Sequence, residues 1–213
     1  TRHRLMAHEV PEKNAPVTGA IMMDFLRPEF QGYYRTKEEL CAKYGLDPEK
    51  QLWLYISSFG YASMDEKEVK ELSDMAGTDF TRFAEVNRQS MAETLAWFDR
   101  YLAGHPEVEL VYRRHPSEWN CPSLLQLAEK RPNFHVIFVE GVKQWITAAD
   151  NIFIWMSTAI AEVYFARKNC RVLRPQPIPH EFDPVIYKDA EVVSTYEEFE
   201  AAAQRDTDAP FPI

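Results

Sequence analysis

The sequence predicts an α/β protein, a Rossmann-like parallel sheet with helices on both faces, and three observations carry that expectation. From about residue 50 onward, short apolar runs alternate with helical segments in strict turn, the pattern that lays parallel strands side by side through crossovers. The first run, Leu52-Trp-Leu-Tyr-Ile56, is apolar at every position, as a strand covered on both faces requires. The runs also end in small or polar residues, Ser57-Ser-Phe-Gly60 after the first and Arg113-Arg-His-Pro116 after the second. Loops at the carboxyl ends of such strands are where ligands bind in this architecture.

In chain order, residues 1–49 read as a linker and a leading helix, 50–205 as the Rossmann-like domain and 206–213 as a tail. Thr1 to Glu9 has helical character, Pro11 and Pro16 break it, and Val17-Thr-Gly19 reads as a short strand entering a turn. Thr36-Lys-Glu-Glu39 is a capping box for a helix closed by Gly45. Gly60 is expected to turn the chain sharply and expose amides after the first strand. Ser63-Met-Asp-Glu66 reads as a second capping box, and Phe83, Val86, Met91, Leu95 and Phe98 mark one long helix from Asp79 to Leu102, stopped near Gly104-His-Pro106. Strands follow at Val108 to Tyr112, Phe134 to Val139, Asn151 to Trp155 and Arg171 to Leu173. Helices at Ser123 to Lys130, Val142 to Ala149 and Thr158 to Lys168 separate them. Pro175, Pro177, Pro179 and Pro184 stiffen a surface passage before Ser194-Thr-Tyr-Glu-Glu198 caps a last helix.

Composition narrows the function classes. Hydrophobic residues at 46% and charged residues at 27% are those of an ordinary globular chain. A formal net charge of -9 argues against nucleic acid as a partner, so any phosphate must be met by a local cationic cluster. Cys41, Cys121 and Cys170 show no CxxC pairing, which speaks against a disulfide framework or structural zinc and for a reducing, cytoplasmic location. The opening Thr1-Arg-His-Arg-Leu-Met lacks the apolar core of a signal peptide, and the most apolar run, Ile152 to Ala166, is too short and too polar to span a bilayer.

Two stretches supply candidate chemistry. Val111-Tyr-Arg-Arg-His-Pro-Ser117 is an apolar strand running into a polar elbow. Pro116 keeps His115 extended, so strand alternation sets Arg113 and His115 on one side and Arg114 on the other. In Trp155-Met-Ser-Thr-Ala-Ile-Ala-Glu162, Ser157 is placed to cap a helix whose free amides attract anions, with Thr158 beside it. Glu162 stands one turn deeper than Thr158, where a carboxylate can accept hydrogen bonds from a ribose diol. Together with Ser57 and Ser58, these residues put three strand ends on one phosphate- and sugar-bearing ligand. Each piece also has a structural reading: serine and threonine as plain caps, Glu162 as a salt-bridged helix residue, His115 as a turn residue. Trp145 and Trp155 read as core aromatics, and His105, His135 and His180 receive no role.

Arg113-x-His-Pro-Ser117, followed by Asn151-Ile-Phe-Ile-Trp-Met-Ser-Thr-x-x-x-Glu162, resembles the carboxyl-terminal, donor-binding half of a GT-B glycosyltransferase. The similarity is to bacterial surface-carbohydrate enzymes of capsule and lipopolysaccharide biosynthesis: capsule Kdo transferases, polysialyltransferases and CDP-glycerol glycerophosphotransferases. Val17-Thr-Gly-x-x-x-x-Asp-x-Leu-Arg-Pro28, then a helix and Leu54-Tyr-Ile-Ser-Ser-Phe59, resembles their interdomain passage and first donor-domain strand. The resemblance implies a metal-independent transferase using a CMP-, CDP- or UDP-linked sugar as substrate, with no cofactor. His115 would be the catalytic residue at the donor phosphate, Ser157 and Thr158 its further ligands, and Glu162 the ribose ligand. It also implies an amino-terminal domain beyond this chain that binds a carbohydrate or lipid-linked acceptor, supplies the base and could hold the enzyme at the inner face of the membrane. A non-hydrolysing nucleotide-sugar epimerase and a non-catalytic nucleotide-sugar-binding module share the same architecture and remain open.

Overall fold

A computed structural model describes residues 10–16, 19–119 and 121–205. The expected helix at Thr1 to Glu9, the strand at Val17-Thr18 and the tail from residue 206 lie outside the described residues.

The six strands are β1 (Gln51–Ile56), β2 (Val108–Arg113), β3 (Phe134–Val136), β4 (Asn151–Ile154), β5 (Arg171–Leu173) and β6 (Glu191–Val193). They form one all-parallel sheet in the order β3-β2-β1-β4-β5-β6. The fold is therefore α/β and Rossmann-like. The winding reverses direction between β1 and β4, and a sheet of this kind leaves a crevice at the carboxyl ends of those two strands.

The helices are α1 (Ile21–Asp24), α2 (Lys37–Tyr44), α3 (Glu66–Ala76), α4 (Thr81–Gly104), α5 (Pro122–Lys130), α6 (Val142–Ala148), α7 (Ile160–Phe165) and α8 (Tyr196–Ala203). Strand alternation sorts the core into two chemistries. Trp53, Tyr55, Leu110, Tyr112 and Phe153 point to one face, where α4, α5 and α8 supply Phe98, Leu102, Leu124, Leu127 and Phe199. Leu52, Leu54, Ile56, Val111, Ile152 and Ile154 point to the other, against Leu40 and Cys41 of α2, Trp145 and Ile146 of α6 and Ile160 and Val163 of α7. Trp145 and Trp155 are fully buried, as the sequence predicts.

The leading helix is part of this second layer. Thr36 and Glu39 form the expected reciprocal cap, and Gly45 closes the helix at a φ of 70°. The segment is tied down further by Arg35, whose N–H donates to Gln144 Oε1 at 2.9 Å and whose carbonyl accepts from Gln144 Nε2 at 3.0 Å. Lys37 also pairs with Asp150 at 2.7 Å, beneath β1 and β4.

Several boundaries differ from the sequence reading. The second capping box is Asp65 with Glu68, each side chain accepting from the other's amide at 2.8 Å, while the chain through Ser63 is a turn. The third strand stops at Val136 and not Val139: its last pair is with Tyr112, and β2 itself ends one residue later at Arg113, so the ladder has no strand to continue along. The helix expected over Thr158 to Lys168 shrinks to α7, since Ser157 to Ala159 form a turn and Arg167 takes a φ of 55° at the far end. The three-residue edge strand β6 is too short to show a period and has no counterpart in the sequence reading.

Candidate functional site

A cavity of about 400 Å³ opens at the carboxyl ends of β1, β2 and β4, at the point where the winding reverses. Ile56 and Ser57 enter it from the first strand, Arg113, Arg114, His115 and Pro116 from the second, and Ser157, Thr158, Ala159 and Glu162 from the fourth strand and α7. Met23, Val142 and Ile186 add apolar wall. All the residues singled out in the sequence meet here except Ser58, which is half-buried and does not line the cavity.

The cationic side is underused by the protein itself. Arg113 Nη1 and Arg114 Nε are buried without a hydrogen-bond partner among the described residues. Burial holds the Arg113 guanidinium below its ordinary range, with Glu162 opposing the shift, yet an arginine in a protein stays charged. Arg114 lies over the Phe138 ring, 5.0 Å from its centroid. Strand alternation predicts Arg114 on the side opposite Arg113, but both line the cavity. The strand ends at Arg113, so alternation no longer governs the residues after it.

His115 is oriented by its own turn. Ser117 N–H donates to His115 Nδ1 at 3.1 Å, and Ser117 Oγ lies 2.6 Å from the same nitrogen. An Nδ1 that accepts an amide hydrogen bond leaves the hydrogen of a neutral ring on Nε2, the tautomer assigned here from the network. Gly60 makes room for this turn. The chain turns sharply at Gly60 as expected, with Ala62 N–H donating to the Phe59 carbonyl at 3.0 Å, and a Cβ on Gly60 would collide with Ser117 Oγ, so the glycine also permits close approach, at a φ that is not positive.

On the opposite wall Ser157 Oγ accepts from Ala159 N–H at 3.3 Å, and the Ser157 carbonyl accepts from Ile160 N–H at 3.3 Å. Ser157 is thus not the N-cap of α7, which falls at Ala159; it heads the turn before that helix. A helix of six residues has little macrodipole to offer, so the charge facing an anion comes from the arginines. Met156 holds a φ of 43°, a conformation that costs a non-glycine residue and recurs at functional sites. Glu162 Oε1 sits 2.5 Å from Lys143 Nζ, which neutralises the carboxylate at the cavity wall, while Oε2 makes no hydrogen bond among the described residues.

No protein-family model matches the chain, and no curated protein matches it significantly. The geometry stands by itself.

One residue with a role in this site is not singled out in the sequence reading. Glu118, three positions after His115, is fully buried. Its Oε1 accepts from Ser57 Oγ at 2.5 Å, Phe59 N–H at 2.8 Å and His115 N–H at 3.3 Å, and its Oε2 lies 3.1 Å from Tyr112 Oη. Burial pushes this carboxyl above the usual range against the opposing pull of those hydrogen bonds. Glu118 therefore ties the loop after β1 to the loop after β2. Its only sequence signal is a charged residue directly after a His-Pro turn, and burial of a lone acid cannot be read from that.

Proposed function

We propose that this crevice holds the phosphate of a nucleotide-activated sugar, and that the chain is the donor-binding domain of a metal-independent GT-B glycosyltransferase of surface-polysaccharide biosynthesis. The observation that carries the reading is the meeting of Arg113, Arg114, His115, Ser157 and Thr158, from separate strand ends, on one cavity at the reversal of a 3-2-1-4-5-6 parallel sheet. At this cavity two buried guanidinium nitrogens have no hydrogen-bond partner among the described residues, a cost that an anion would offset.

In the complete enzyme Arg113 and Arg114 would neutralise the donor phosphate, while His115 would donate its Nε2 hydrogen to the oxygen on which negative charge grows as the sugar leaves. Donors fixed in advance toward developing charge are often the largest contribution to catalysis. Ser157 and Thr158 would supply hydroxyl hydrogen bonds from the far wall, and Glu162, held by Lys143, would accept from the ribose. A base from an amino-terminal acceptor domain would activate the acceptor hydroxyl.

Titration calorimetry with UDP, CDP and CMP tests the binding step. Saturable binding below millimolar ligand that is lost in His115→Ala and Arg113→Met is the expected outcome. No binding of any of the three at millimolar concentration would sink the reading.

A further inference from the structure

Beneath the His-Pro turn three polar groups close a triangle. Ser57 Oγ lies 2.7 Å from Tyr112 Oη and 2.5 Å from Glu118 Oε1, and Tyr112 Oη lies 3.1 Å from Glu118 Oε2. The serine and the tyrosine own one hydroxyl hydrogen each, which serves two of the three contacts. The third needs a hydrogen that only the carboxyl can supply. With that hydrogen on Oε2 the ring closes: the acid donates to Tyr112, Tyr112 donates to Ser57, and Ser57 donates to Oε1. The amides of Phe59 and His115 then complete Oε1 from the two loops. Among the described residues every hydrogen-bond partner of Glu118 is a hydroxyl or an amide, and none is a cation that would offset an ionised carboxylate in this fully buried place.

We infer that Glu118 is a neutral carboxylic acid in the folded protein at physiological pH, and the positioning residue that holds the Ser57 loop and the His115 turn together around the crevice. Its purpose rests on the donor-binding reading; its protonation does not. Glu118 touches no ligand space itself, since it does not line the cavity. It acts through Ser57 and through the amide of His115. A buried neutral acid suits this task because it donates at one oxygen and accepts at the other, which an ionised carboxylate cannot do.

Glutamine is the isostere of the protonated acid. In Glu118→Gln an amide N–H replaces the acid O–H toward Tyr112, and the amide oxygen remains for Ser57, Phe59 and His115. We expect Glu118→Gln to keep wild-type affinity for UDP and an unchanged His115 imidazole signal by nitrogen NMR. Glu118→Ala, which leaves buried donors unpaired, should lose about tenfold or more in affinity with its circular dichroism intact. The direct readout is the infrared difference between wild type and Glu118→Gln at neutral pH. It should contain the carbonyl stretch of an un-ionised acid, in a region where carboxylates do not absorb. Absence of that band, or a Glu118→Gln protein as impaired as Glu118→Ala, overturns the inference. If Glu118→Ala does not fold, Tyr112→Phe, which removes one corner of the ring, takes its place with the same expected loss. If wild type binds no nucleotide, the donor-binding reading falls while the infrared band and the imidazole signal still decide the state of Glu118.

Discussion

The two ends of the sheet treat buried charge in opposite ways. At the amino ends of the strands Glu109, Asp150 and Arg171 each have an oppositely charged neighbour. Glu109 is held by Lys50 at 2.9 Å and His135 at 2.6 Å. Arg171 donates to Asn151 Oδ1 at 2.6 Å and stands 3.5 Å from the Glu191 carboxylate. Asp150 joins Lys37 to the amide of Leu52, at 2.7 and 2.8 Å. At the carboxyl ends Arg113 Nη1 and Arg114 Nε are buried with no hydrogen-bond partner among the described residues, and Glu162, the acid on the described wall, is already taken by Lys143. Arg171 also keeps a buried Nε without a hydrogen bond, but a carboxylate stands beside it at 3.5 Å, whereas no ion pair forms at Arg113 or Arg114 among the described residues; the carboxyl end is where an anion would offset the cost.

That contrast is open to a direct attack. Arg113→Met removes an unpaired buried charge, so the free protein should gain thermal stability or hold it, as replacing buried ions with apolar groups often does. The same change should cost binding of UDP about tenfold to a hundredfold, because a charge-assisted hydrogen bond is worth about 1.5–3 kcal/mol. Calorimetry and a melting curve on one sample read both. A variant that loses stability and keeps affinity would reverse the contrast. At the other end Arg171→Met should do the opposite, costing about 1–3 kcal/mol in denaturant unfolding by leaving Asn151 unpaired, with nucleotide affinity unchanged.

The paired end and the open end were not equally legible in the sequence. The strands β1 and β4 declare themselves by apolar runs, β2 by one interrupted only at Glu109 and β5 by its place in the alternation, and from them follow the sheet class and the identity of the loops at its upper rim. His115, Arg113, Ser157 and Thr158 could be gathered to one crevice because strand ends of a parallel sheet lie side by side whatever the packing between them. What depends on three-dimensional contact was hidden. Arg114 turns into the cavity because the strand ends one residue before it. Helix α7 is one and a half turns long because a left-handed Met156 delays its start and Arg167 ends it. Glu118 reads as an ordinary surface acid until its neighbours arrive from two loops.

The close approach at Gly60 offers a smaller perturbation. A methyl group there meets Ser117 Oγ, a short side chain already engaged with His115 Nδ1, so it cannot swing clear without giving up that contact. Gly60→Ala should destabilise the protein by about 1–3 kcal/mol, as overpacking does, and weaken nucleotide binding through a displaced imidazole. Destabilisation with unaltered affinity would mean that the turn tolerates the shift and that His115 is positioned by something else.

The mildest effect separates the two ends by pH alone. Glu118 has its folded-state value raised above the ordinary 4.5 by burial. A group raised in this way contributes stability that is fully present below the unfolded value and is lost as pH rises through the folded one. The titratable side chains packed near it, Tyr55, Tyr112 and Cys121, are themselves pushed upward by burial, so they stay neutral across that window. Wild type should therefore lose stability relative to Glu118→Gln as pH climbs from about 4.5, since glutamine has no proton to give up. At the amino end Glu109 is held by Lys50 and His135, so Glu109→Gln breaks a buried ion pair and should lower the melting temperature at neutral pH, where Glu118→Gln does not. Melting curves of the two variants against wild type, from acid to neutral pH, make the comparison. Parallel curves for Glu118→Gln and wild type would mean that the upper rim holds its buried acid no differently from the lower one.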